Sequence, residues 1–288
     1  MLSPGTVEAL APAKINLALH VVGQRADGYH LIDSLVVFVG HGDILVARAA
    51  PVTTLRIDGP LAAGVPTGPE NLVLRAAALF DPPVTSALRL TKRLPAAAGI
   101  GGGSSDAAAC LRLLAEIGGR ALPDAESVLS LGADLPACLA GYPLRMTGIG
   151  EQLAPLEPLP PFWAVLVNPG VAVDTGAVYR GLERRDGGGI APQPAVDGTL
   201  DWLREQRNDL QPPALALAPV IGDVLDLIGM SDGCALSRMS GSGATCFGLF
   251  ADADAAVTAA EWIGKARSDW WCVAAPVLTA PQAIRATT

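Results

Sequence analysis

Two periods of hydrophobic and polar residues run along the 288-residue chain and divide it into strands and helices. Strand-like runs cover Val7 to Val22, Ser34 to Val39, Asp43 to Ala47, Thr54 to Ile57 and Ala87 to Leu94. Between the first two, Gly23 to His30 is a turn around Asp27-Gly28, which signals a hairpin. Pro69-Glu70-Asn71 opens a helix, with Asn71 as N-cap and Leu72, Leu74, Ala78 and Leu79 as its apolar side. A second helix carries Ala107, Cys110, Leu111, Leu114 and Ile117, with Ser104 or Ser105 as its N-cap. Asp124 caps a third, through Val128, Leu129 and Leu131, and Gly132 ends it.

Leu153 to Pro161 is proline-rich and reads as a linker. Beyond it come a buried strand (Phe162 to Val167), a short helix capped at Asp174-Thr175 with Val178 and Tyr179, and a surface loop over Glu183 to Pro194. Helices follow Asn208-Asp209-Leu210 and cover Val220 to Ile228. Met239 to Phe250 begins glycine-rich and ends as a strand, Asp252 to Gly264 is helical, and Val273 to Val277 is a last strand.

Composition narrows the class. Half the residues are hydrophobic, enough for one large domain or two modest ones. The net charge of −8, without clustered Lys or Arg, argues against nucleic acid. Five scattered cysteines, never spaced C-x-x-C, fit reduced thiols and a cytoplasmic setting. No basic leader or run of about 20 apolar residues is present, so a soluble chain without a membrane span is expected.

Candidate chemistry concentrates in Leu94 to Ala109, where Gly99, Gly101, Gly102 and Gly103 precede the second helix. Glycines let a backbone turn tightly and approach a ligand, and a helix start gathers unpaired N–H groups, so this is an anion site. It is not a P-loop, since no Lys follows the glycines, and not a dinucleotide fingerprint, since Ser104 holds the third glycine place. Lys14 and Asn16 sit in an apolar strand, where a lysine is either an edge residue reaching water or a functional one. Tyr29 and His30, just past the turn, either cover the sheet or hold a planar ligand. Asp134, two residues before Pro136, is either a helix cap or a catalytic carboxylate. His20 and His41 read as structural.

An early Ala13-Lys14-Ile15-Asn16, the run Pro95 to Ala108 and a late Ser240-Gly241-Ser242-Gly243-Ala244-Thr245 together resemble the GHMP kinase superfamily. Asp27-Gly28-Tyr29-His30, Pro69 to Leu72, Lys92 to Pro95 and Gly132 to Pro136 resemble its branch acting on a cytidine-diphosphate-linked methylerythritol. The resemblance spans about Ala11 to Phe250. It implies an α+β, two-domain fold: an N-terminal ATP-binding domain like ribosomal S5 domain 2 (1–157) and a ferredoxin-like substrate-side domain (158–288). It also implies transfer of phosphate from ATP, with Mg²⁺, to the 2-hydroxyl of that small molecule in the non-mevalonate isoprenoid pathway.

Residue by residue, Asp134 matches the general base and Lys14 the catalytic lysine. Pro95, Ala96, Ala97, Ala98, Gly99, Ile100, Gly101, Gly102, Gly103, Ser104 and Ser105 match the phosphate loop, either serine being a candidate contact for the metal. Asn71 and Lys92 fall near the nucleoside. Asn16, Tyr29, His30, Val171 and Tyr179 fall on the acceptor side, His30 at the cytosine and Tyr179 stacked on it. Asp106 either stabilises its own helix or positions Mg²⁺, the first being favoured here. Other superfamily chemistry, on homoserine or mevalonate, and a non-catalytic nucleotide or sugar sensor are the competing expectations. Oligomeric state is open between a monomer and a weak homodimer.

Overall fold

The computed structural model describes residues 5–287. In chain order the elements are β1 (Thr6–Gln24), β2 (His30–Ala49), β3 (Thr54–Asp58), α1 (Leu72–Ala77), β4 (Ser86–Thr91), α2 (Gly102–Gly118), α3 (Ala125–Leu131), α4 (Leu135–Ala140), β5 (Leu144–Gly148) and β6 (Gln152–Pro155). They continue as β7 (Trp163–Asn168), α5 (Thr175–Arg180), α6 (Thr199–Glu205), α7 (Gln211–Leu217), α8 (Val220–Gly229), β8 (Leu236–Met239), β9 (Cys246–Phe250), α9 (Ala253–Ala266), β10 (Trp271–Leu278) and β11 (Arg285–Thr287).

The first half is a sheet built on the long hairpin of β1 and β2, joined through the Asp27-Gly28 turn. Strand β2 also pairs with β4 and β5, β3 runs parallel to β4, and β6 pairs with β5. The two separate strands expected over Ser34–Val39 and Asp43–Ala47 are thus one continuous strand; Gly40 and Gly42 interrupt the pattern without ending the pairing. The start of the expected linker is likewise strand β6. The second half is an antiparallel sheet in the order β10-β7-β9-β8, with α9 crossing between β9 and β10. That order is the ferredoxin-like arrangement. Strand β10 touches β2 at Val277 and Leu278, and β11 returns to the edge of β1, so the two halves share one sheet path.

Helix α2 is covered on two sides: Ala107, Cys110, Leu111 and Leu114 bury against α1 and the first sheet, and Ala108 joins a cluster drawn from both halves. Burial of side chains such as Leu111 and Leu113, both fully enclosed, supplies the driving force at about 25 cal/mol per Å². Strand β1 carries register shifts at Pro12/Ala13 and Asn16/Ala18. These irregularities flank Lys14 and Asn16 and re-aim them, as bulges beside active sites do.

Candidate active site

Three distant segments meet around the glycine loop. The Lys14 backbone N–H donates to Ile100 O (2.9 Å), and the Thr245 N–H donates to Ala98 O (3.2 Å). Ser240 Oγ donates to Gly99 O (3.0 Å) and accepts from the Asn16 N–H (3.1 Å). Gly99 has φ +73°, and a Cβ there would stand 2.5 Å from Ser240 O. Only glycine fits that approach. Gly101 (φ +62°) is the N-cap of α2, without a side-chain bond. This corrects the expectation that Ser104 or Ser105 caps the helix. Both serines lie inside its first turn, and Ser105 Oγ donates instead to Pro12 O (2.7 Å).

A cleft of about 490 Å³ opens over this loop. Its wall includes Ala97, Ala98, Gly99, Gly101, Gly102, Gly103 and Ser104, with Lys14, Asn16 and Asp134 across from them. Pro95, Ala96, Ile100 and Ser105 do not reach it; Ile100 and Ser105 are buried beneath. The Lys14 ammonium, 4% exposed, donates to Asp134 Oδ1 (3.1 Å) and Asn16 Oδ1 (3.0 Å). Asn16 Nδ2 in turn donates to Ser34 Oγ (2.8 Å), and Ser34 donates to Ala18 O (2.7 Å). This chain holds the lysine on a single path toward the cleft. Asp134 stands at the N-cap position of α4, yet its side chain makes no capping bond. Its Oδ2 makes no hydrogen bond among the described residues, and the side chain is 37% exposed. The carboxylate therefore faces the cleft with one oxygen held and one available.

The expected nucleoside contacts lie elsewhere. Lys92 is buried and ion-paired to both Asp43 and Asp106, the latter at 2.8 Å, so its ammonium does not line the cleft. Asp43 also accepts from the backbone N–H groups of Arg93 (2.5 Å) and Leu94 (2.9 Å). Asp106 neither caps α2 nor reaches the cleft: Oδ2 is on Lys92, and Oδ1 is buried without a partner. Burial pushes the Asp106 carboxyl up to about 8, with Lys92 opposing and Asp43 reinforcing the rise. Burial works against the Lys92 charge, but Asp106 and Asp43 outweigh it and hold the ammonium above its ordinary range. Asn71 caps α1, accepting from the Val73 N–H (2.8 Å) and donating to Pro66 O (2.6 Å); its neighbour Leu72 reaches the cleft.

A second depression, about 550 Å³, adjoins the cleft and shares Ile32, Ile149 and Tyr179 with it. Tyr29 and His30 line it, with Arg180 and Arg185 at its border. His30 stacks on Tyr179 with ring centroids 4.7 Å apart, and its Nε2 is a buried atom without a partner. Burial, then Arg185, lowers the His30 pKa. Burial, then the Asp134 carboxylate, pushes the Tyr179 phenol up to about 12, so it stays neutral. Tyr29 is 62% exposed at the rim. Val171 is on the surface and lines neither hollow; Val173, from the same segment, lines the cleft.

Residues that local pattern did not single out also converge here. They are Asp43, Ser34, Ser240, and the cleft-lining Thr175 and Ser242. Of these, the Ser240 and Ser242 hydroxyls carried a signal, by lying in a second glycine-rich stretch, and Thr175 only as part of a helix cap. Among the described residues, no cluster of three or more His, Cys, Asp or Glu side chains forms a metal site. No helix among them is long and apolar enough to cross a membrane.

The architecture and the motifs have counterparts. The GHMP kinases N terminal domain matches residues 71–144, and GHMP kinases C terminal matches 193–266. A 4-diphosphocytidyl-2-C-methyl-D-erythritol kinase of Dinoroseobacter shibae is 56% identical over 93% of this chain and 95% of its own length. Its namesake from Ruegeria pomeroyi is 52% identical over 94% of this chain and 99% of its own. A crystal structure of 4-(cytidine 5'-diphospho)-2C-methyl-D-erythritol kinase superposes with TM-score 0.80 at 35% identity, covering 94% of this chain and 98% of that one. A homoserine kinase from Cytophaga hutchinsonii superposes with TM-score 0.71 at 16% identity, covering 99% of this chain and 98% of that one, which is a likeness of fold. With a glycine loop, a buried lysine and a carboxylate assembled on the same fold as these relatives, the chain belongs to the 4-diphosphocytidyl-2-C-methyl-D-erythritol kinase family of GHMP kinases.

Proposed function

We propose that this small-molecule kinase transfers the γ-phosphoryl group of ATP to the 2-hydroxyl of 4-diphosphocytidyl-2-C-methyl-D-erythritol, with Asp134 as general base. The observation that carries the reading is the Lys14–Asp134 pair, 3.1 Å apart, facing the glycine loop. Phosphoryl transfer demands positioning and neutralisation of spread negative charge, with little covalent work from the protein. Loop amides from Ala97 to Ser104 supply donors for the phosphates. Asp134 Oδ2 accepts the proton of the attacking hydroxyl, while Lys14 holds Oδ1 and lends its charge to the transferring group. ADP leaves with the bond to the γ-phosphorus broken.

The residues fit a Mg²⁺ that arrives on ATP, with the Ser104 hydroxyl as its contact at the loop. Bound there, the ion would supply positive charge to the phosphates. The acceptor's base occupies the depression, where Tyr29 and Tyr179 supply flat faces and the unpartnered His30 Nε2 supplies a hydrogen-bonding atom. The same reading divides the chain near residue 157 into a nucleotide half and a substrate-side half. The five free cysteines support a cytoplasmic setting.

The test is ADP release from the purified protein offered the cytidine-diphosphate-linked methylerythritol, homoserine and mevalonate in separate reactions. Turnover is expected with the first alone. Turnover with either of the others, and none with the first, overturns the reading.

A further inference from the structure

Two hydroxyl side chains meet in the cleft where neither the glycine loop nor the Lys14–Asp134 pair uses them. Thr175 Oγ1 and Ser242 Oγ stand 2.8 Å apart, and both residues line the cleft. Thr175 opens α5, whereas Ser242 lies in the loop between β8 and β9, 67 residues away. Thr175 and Tyr179 are four apart on α5 and so share a helix face. Tyr179 borders both the cleft and the depression. A ligand with its base beside Tyr179 and its reacting hydroxyl at Asp134 shares the cleft with this pair.

The stretch of such a ligand between nucleoside and polyol is a diphosphate, which offers acceptor oxygens only. Each hydroxyl carries one O–H donor and is free to rotate. In the free protein one donor is spent on the mutual bond, and both can turn outward when phosphate oxygens arrive. The neighbouring walls, Val173 and Leu210, offer no side-chain donor. Asp174 is engaged elsewhere, accepting from the Ala177 N–H (2.5 Å) as the cap of α5.

We propose that Thr175 and Ser242 clamp the diphosphate linker of the acceptor, so that they distinguish a nucleoside-diphosphate-linked polyol from a bare nucleoside. The proposal rests on the placement of the base beside His30 and Tyr179.

The experiment measures kcat and both KM values for wild type, Thr175→Val, Thr175→Ser and Ser242→Ala. It adds inhibition by cytidine, CMP and CDP, with His30→Ala as a control on the base. Thr175→Val and Ser242→Ala are expected to raise the acceptor KM and weaken CDP about tenfold, the usual worth of a hydrogen bond to a charged group. Cytidine inhibition and the KM for ATP stay unchanged, and Thr175→Ser restores the wild-type values. Equal losses across cytidine, CMP and CDP overturn the clamp and leave the pair as a tether between α5 and its neighbouring loop. A rise confined to the KM for ATP also overturns it, by assigning Ser242 to the nucleotide phosphates. If His30→Ala leaves all three inhibitors unaffected, the base placement is what fails, and the clamp falls with it.

Discussion

Asp134 offers one oxygen to Lys14 and leaves the other open to the cleft. Replacing it by Asn keeps the shape but removes the proton acceptor, so Asp134→Asn is expected to lower kcat by roughly 10²–10⁴ with little change in either KM. A steady-state titration of both substrates checks this. Gly99 carries a different constraint. With φ +73° and Ser240 O in the way, Gly99→Ala strains the loop by about 1–3 kcal/mol and is expected to raise the KM for ATP. Calorimetric binding of a non-hydrolysable ATP analogue reads that change. His30, with its pKa lowered from 6.5, is neutral at neutral pH, and acidification charges it against the neighbouring Arg185. The acceptor KM is therefore expected to stay flat from pH 8 to 7 and to rise only on acidification below the ordinary histidine value, in a pH series of initial rates. By the same sign, the lowered pKa values of His20, His30 and His41 contribute stability that is full above about 6.5 and lost as pH falls through their folded values. At this scale much of the site was legible. Lys14 and Asp134 each carried two readings in the bare pattern, a structural and a functional one, and neighbouring motifs tipped both. The partner of Lys92 was not legible, because Asp43 is 49 residues away and resembles any other polar residue in a strand.

Helix α2 is aimed by what lies behind it as much as by its own caps. Lys92 at the end of β4 ties Asp43 on β2 to Asp106 on α2, so one ammonium joins two strands to the helix that follows the glycine loop. Lys92→Ala would leave the buried Asp43 carboxylate without its cation, and a loss of about 3–5 kcal/mol is expected in urea unfolding. Asp106→Asn should behave in the opposite way. The folded carboxyl holds its proton to about 8, whereas its ordinary value is 3.8, so folding takes up a proton across that interval and stability falls as pH rises through it. The Asn variant removes this slope. Its midpoint against wild type should therefore improve steadily from pH 5 to 8, as followed by thermal melts across that range. The start of α2 shows where local rules failed. Serines are good caps in isolation, but Gly101 in the left-handed region turns the chain earlier, and the packing of Ser105 against Pro12 takes the hydroxyl that would have capped.

Across the whole molecule, the order of elements was readable because alternating and helical periods are local properties. Their joining was not. The meeting of β10 with β2, the return of β11 to β1 and the bridge from Leu19 to Asn208 all depend on pairing between residues far apart in sequence. The cleft is made in the same way, since its floor comes from the first half and Thr175, Gly241 and Ser242 come from the second. This leaves the cleft incomplete in residues 1–157 alone. A fragment of residues 1–157 is expected to bind ATP at least tenfold more weakly than the full chain, because Ser240 and Thr245 no longer hold Gly99 and Ala98. Adding a fragment of residues 158–288 should restore part of that affinity, which fluorescence titration with a labelled nucleotide would read.

The fastening of Gly99 to Ser240 also bears on the birth of the protein. A ribosome delivers the glycine loop some 141 positions before the serine that anchors it. At about 5–20 residues per second, the loop waits roughly 7–28 seconds in an unanchored state. On the proposed reading, nucleotide in the cell therefore meets a finished cradle only after Ser240 has been made. A premature stop between Ala109 and Ser240 yields a chain that carries every residue of the loop and still lacks the serine that fastens Gly99.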